Sequence, residues 1–116
     1  MDDEKTGTEE AFARGGKRAR FKSGMLERRV IILNRLGLHA RPAAEFVRAV
    51  RTFQSSVTLI KGGDGYSGAS ILDVLSANLE HGSVLILRIE GPDAEMAMEC
   101  LCGMFEQFRR REEQEE

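Results

Sequence analysis

The chain has no tryptophan, one tyrosine, two prolines, two cysteines and two histidines in 116 residues. Each scarcity removes a class of function. Six phenylalanines and Tyr66 are too few aromatics for a base-stacking nucleic-acid surface. Lysine and arginine number 17 against 19 acidic residues, so no global positive charge draws the chain to nucleic acid or to an anionic membrane. No stretch nears the roughly 18 consecutive apolar residues of a membrane span. The first residues also lack the apolar core of a secretory signal. The cysteines are Cys100 and Cys102, spaced C-x-C. Two thiols with no histidine pair nearby do not complete a zinc site, and on a helix they point about 200° apart. They read as ordinary helical side chains in a reducing, cytoplasmic compartment, and no metal or cofactor is expected. One domain of ordinary size fits this length, whereas a barrel enzyme or a full dinucleotide-binding enzyme does not.

What is present is unevenly spread. Residues 1–24 begin acidic at Asp2, Asp3 and Glu4 and turn basic at Lys17-Arg18-Ala19-Arg20-Phe21-Lys22, without apolar periodicity. That pattern predicts a disordered N-terminal extension. Residues 110–116 read as a charged C-terminal tail, and residues 25–109 as the folded domain. Within it, short apolar runs at 28–33, 56–60, 66–68 and 83–90 predict strands. Helical spacing predicts one helix from Ala40 to about Phe53, a short one of about nine residues from Ile71, and a third over 94–108. Lys61-Gly62-Gly63-Asp64-Gly65 supplies the glycines of a hairpin turn. Its G-x-x-G spacing also fits an RNA-binding loop, but that loop joins two helices and this one joins two strands. The order β-α-β-β-α-β-α predicts an α+β fold, a four-stranded, mainly antiparallel sheet with three helices on one face.

The chemistry concentrates at His39, within Gly37-Leu38-His39-Ala40-Arg41-Pro42-Ala43. Pro42 is tolerated in the first helical turn, so His39 falls at the helix N-terminus. The backbone N–H groups of Ala40 and Arg41 then have no intrahelical acceptor, and with the positive dipole end they form an anion site. Arg41 adds a guanidinium suited to phosphate oxygens. An imidazole of ordinary pKa is largely neutral above pH 7 and is a competent nucleophile. The second histidine, His81, precedes Gly82 and reads as a turn residue. Ser70 with Asp73 three residues on matches a capping box, so Ser70 is read as an N-cap.

The string around His39 resembles the active-site signature of the HPr family, the histidine-containing phosphocarriers of the bacterial phosphoenolpyruvate-dependent phosphotransferase system. A second stretch, Gly68-Ala69-Ser70-Ile71-Leu72-Asp73-Val74-Leu75-Ser76, resembles the family's regulatory-serine motif, and Ser70 follows His39 by the family's 31 residues. Glu80-His81-Gly82-Ser83 is similar to the turn after the family's second helix. The resemblance covers about 27–108 and implies the family's open-faced β-sandwich and a monomeric phosphoryl carrier rather than an enzyme. It implies that His39 accepts a phosphoryl group on Nδ1 from phosphorylated enzyme I, beside Arg41, and passes it to IIA proteins or domains. It implies phosphorylation of Ser70 by HPr kinase/phosphorylase, read by a transcriptional regulator. It implies a partner surface of Ala44, Val47, Arg48, Arg51, Ile71, Leu72 and Leu75, with Arg41, Arg48 and Arg51 as a positive patch near His39. Asp73 and Asn78 depart from the family, which often has glycine there. A second reading makes the protein mainly regulatory, in the nitrogen-related branch or in phospho-Ser70-dependent catabolite control.

Overall fold

In the computed structural model the described residues are 24–114, so the predicted disordered extension over 1–24 lies, save for Gly24, outside them. Four strands, β1 (Met25–Ile31), β2 (Ser56–Lys61), β3 (Asp64–Ser67) and β4 (Val84–Glu90), interleave with three helices, α1 (Ala40–Val50), α2 (Ile71–Ser76) and α3 (Ala94–Gln114). The order is the predicted one. All pairings are antiparallel, in the sheet order β1-β4-β2-β3.

Period-two alternation sets the two faces of this sheet. Leu85, Leu87 and Ile89 of β4 and Val57 and Leu59 of β2 are buried. They pack against Phe46 and Val50 of α1, Val74 of α2 and Ala97 and Leu101 of α3. On the other face Ile31 and Val84, cross-strand partners, remain 43% and 42% exposed. Three helices thus cover one face and leave the other open. The β2–β3 turn is Gly62-Gly63, with φ of 59° and 86°. Positive φ at both central residues is the demand of a two-residue hairpin turn whose twist matches the strands.

Element boundaries differ from expectation where tertiary contacts take over. β1 starts three residues earlier, because Met25 and Leu26 find partners in Glu90 and Ile89. It leaves the ladder at Ile31, although Ile32 N–H still donates to Ser83 O at 2.9 Å. α1 ends at Val50, and Thr52 and Phe53 close a turn onto Ala49 O and Val50 O. α2 has six residues rather than nine. Asn78 adopts φ 53°, and Lys61 Nζ donates to Ala77 O at 3.1 Å and Asn78 O at 2.6 Å. A cation there matches the negative end of the helix.

The largest difference from expectation concerns residues 110–114 of the predicted tail, whose residues 115 and 116 lie outside the described ones. α3 continues through its charged stretch to Gln114. Glu106 pairs with Arg109 and, at 3.3 Å, with Arg110, and Arg109 pairs with Glu113 at 2.8 Å. Such i,i+3 and i,i+4 pairs favour helix modestly. Burial of Phe108 and a 2.9 Å ion pair from Arg111 to Glu45 of α1 fasten the extension to the body.

The end of the sheet where β1 begins is tied separately. Gly91 N–H donates to Gly24 O at 2.7 Å. The Asp93 carboxylate accepts from Gln54 N–H at 2.9 Å, Ser55 N–H at 2.9 Å and Ser55 Oγ at 2.5 Å. The Ser55 hydroxyl, then the Gln54 amide, hold its carboxyl below the usual carboxylate range. Among the described residues no helix is long and apolar enough to cross a membrane.

Candidate functional site

The loop between β1 and α1 is built to one shape. Buried Asn34 donates Nδ2–H to Gly37 O at 2.6 Å, and Gly37 N–H returns to Asn34 O at 3.1 Å. Gly37 has φ 68°, and a Cβ there would meet Leu79 O at 2.5 Å. Glycine is therefore required twice over, for the left-handed backbone and for the close approach. Leu38 is buried and donates its N–H to Leu79 O at 2.8 Å. The next residue, His39, is exposed at a fixed point.

His39 is the N-cap of α1, with φ −80° and ψ −172°. Its side chain makes no capping hydrogen bond, and no acidic residue stands in the first turn. Pro42, buried, has no N–H to offer. The amides of Ala40 and Arg41 begin the helix without intrahelical acceptors, which leaves a positive dipole end beside an imidazole. His39, Arg41 and Pro42 share a pocket of about 80 Å³ with Asn34 and Leu36 of the loop and Phe108, Arg111 and Glu112 of α3. An exposed nucleophile, a guanidinium and a helix start can receive a small anionic group and release it again.

Ser70 stands at a different kind of helix start. It caps α2 with φ −119° and ψ 119°. Its Oγ accepts Asp73 N–H at 3.2 Å and donates to Asp73 Oδ1 at 3.4 Å. Asp73 Oδ2 accepts Ser67 N–H at 2.9 Å. Ser70 does not line the pocket of His39.

The other expected positions divide. Leu72 is 74% exposed and Leu75 40%, on the outer side of α2, while Ile71 and Ala44 are half-buried. Val47 is only 6% exposed and belongs to the core, so it offers little to a partner. Of the three arginines expected near His39, Arg41 is the one that lines its pocket. Arg48 is exposed on α1, and Arg51 donates Nε–H to Ala69 O at 3.0 Å, next to Ser70. The second guanidinium in the pocket is Arg111, which the sequence reading leaves out together with Glu112, Phe108 and Asn34. The i,i+4 charge spacing of Glu106, Arg110, Arg109 and Glu113 is the signal that extends α3 far enough to find them.

The family model described as "PTS HPr component phosphorylation site" matches residues 26–107. The phosphocarrier protein HPr of Xylella fastidiosa strain 9a5c is 40% identical over 82 residues, covering 71% of this chain and 92% of that protein. The phosphocarrier protein NPr of Shewanella violacea is 35% identical, covering 68% of this chain and 87% of that protein. The crystal structure of HPr from Bacillus anthracis superposes with a TM-score of 0.67 at 34% identity, covering 71% of this chain and 98% of that one.

Proposed function

The chain belongs to the HPr family of phosphotransferase-system phosphocarriers, and from that premise we propose that His39 is its phosphoryl acceptor. The observation that supports this most is the uncapped start of α1, where exposed His39 shares a pocket with Arg41. The carrier unit is residues 25–109, to which α3 adds its last turns. The donor is phosphorylated enzyme I and the acceptors are IIA proteins or domains, all in the cytoplasm.

In the transfer, the Nδ1 lone pair of neutral His39 attacks phosphorus. The bond from phosphorus to the donor's leaving atom breaks, and its electron pair goes to the donor. Nε2 of His39 keeps its proton. Arg41 and the Ala40 and Arg41 amides balance charge on the phosphoryl oxygens. Arg41 is exposed, Arg111 is already paired with Glu45, and two amides are open, so the group is held loosely, which suits a carrier that must give it up. Exposed Leu72 and Leu75 with Arg48 form the docking surface, and each partner brings the rest of the catalytic groups.

Phosphorylation of Ser70 regulates this cycle. It sets about two negative charges beside the apolar surface of α2, and Arg51 donates to Ala69 O, next to Ser70. Asp73 at the same cap opposes a second anion, so the modification loosens the Ser70–Asp73 capping pair. A Ser70→Asp variant accepts phosphate from enzyme I more slowly; acceptance at the normal rate would end this part of the reading.

The direct experiment is incubation with phosphoenolpyruvate and enzyme I, followed by intact mass before and after acid. One acid-labile phosphate, absent in His39→Ala, is the expected result. No acid-labile phosphate, or the same phosphate in His39→Ala, would overturn the assignment.

A further inference from the structure

The match to the family ends at residue 107, yet Phe108, Arg111 and Glu112 line the pocket of His39. These three are anchored. The Arg111 guanidinium stacks 5.4 Å from the centre of the Phe108 ring and pairs with Glu45 of α1 at 2.9 Å. The Glu112 carboxylate accepts two backbone N–H groups of the loop that presents His39, from Leu36 at 2.8 Å and from Arg35. Those contacts join residues 76 and 77 positions apart. The end of α3 is therefore a wall of the site and a clasp on its loop.

We infer that Glu112 is a positioning residue of the phosphoryl site, which fastens the loop before His39 and keeps the site's grip on the phosphoryl group weak. The inference rests on His39 being the acceptor. Two effects act in one direction. Glu112 takes two amides of that loop, one of them on Leu36, which lines the same pocket, so neither is open to an anion. Its charge also stands in the pocket of about 80 Å³ that receives the phosphoryl group. Like charges at such range repel, more strongly at a partly enclosed surface than in bulk water. Both effects raise the phosphorylated state relative to the free one. Arg41 and Arg111 pull the other way, and the balance sets how readily the group moves on.

The test uses the full chain as wild type, Glu112→Gln and Glu112→Ala, each equilibrated with phosphoenolpyruvate-charged enzyme I and followed by phosphorus NMR. The readout is the equilibrium ratio of phosphorylated carrier to phosphorylated donor. Glu112→Gln raises this ratio roughly three- to tenfold at low ionic strength. The gain shrinks below about twofold near 1 M salt, where screening acts within a few ångströms. Glu112→Ala shifts the ratio in the same direction and speeds amide exchange at Arg35 and Leu36. A wild type that is phosphorylated on His39 with the same ratio in Glu112→Gln overturns the inference and leaves the acceptor assignment standing. A gain that ignores salt overturns its electrostatic part. A wild type that takes no phosphate on His39 removes the assignment and this inference together.

Discussion

Two helix starts in this molecule were given opposite treatment. At α2, Ser70 and Asp73 exchange hydrogen bonds, and Asp73 also takes the amide of Ser67. At α1, His39 caps nothing and the first turn holds no acid. The closed start contributes stability. The open start forgoes it, and the forgone hydrogen bonds are the ones a phosphoryl group can supply. Leaving a helix uncapped costs about 1 kcal/mol, a small cost set against the binding it leaves available. The pair shows how a functional site can be recognised by local stability that is missing.

The contrast can be broken by exchanging the treatments. His39→Ser closes the open start: it abolishes the acid-labile phosphate seen by intact mass. The same change raises unfolding stability by about 1 kcal/mol in a denaturant titration. Arg41→Gln keeps the start open but removes the guanidinium, and the rate of phosphoryl acceptance falls about ten- to a hundredfold in a stopped transfer assay. Ser70→Ala opens the closed start: the chain loses about 1 kcal/mol of stability, while acid-labile phosphate still forms. The start of α3 calibrates the series. Asp93 there has a carboxyl held low by Ser55 and Gln54, so it binds protons less readily folded than unfolded. Its stabilisation is present above the unfolded carboxyl value of about 3.9 and fades as pH falls through the lower folded value. Asp93→Asn removes that segment of the acid-unfolding curve and leaves the neutral and alkaline limbs parallel to wild type.

Much of this contrast is legible in the residue order. Pro42 fixes where α1 begins and so puts His39 at its start, and Ser70 with Asp73 announces a cap. Alternation in β4 and the Gly62-Gly63 turn are local signals, and local signals survive folding. What is not legible depends on distant parts of the chain. Nothing near Leu36 indicates that Glu112, 76 residues away, will take its amide. Val47 satisfies the helical period of the core as well as the pattern of a docking surface, and only packing decides for the core. The density of charged residues over 110–114 suggests solvent-borne chain, whereas the spacing of those charges favours the helix that forms.

The two ends of the described chain sit in unequal places. Gly24 meets Gly91 where β1 starts, and the seven residues of β1 carry the chain roughly 23 Å along the sheet before the loop to His39. Gln114, in contrast, lies two residues past a side chain in the pocket. A label, bead or fused protein joined at Gly24 leaves from the start of β1, a strand's length from the loop to His39. The same attachment joined after α3 leaves beside the pocket of His39, and if that pocket is the phosphoryl site as proposed, a docking partner meets it there.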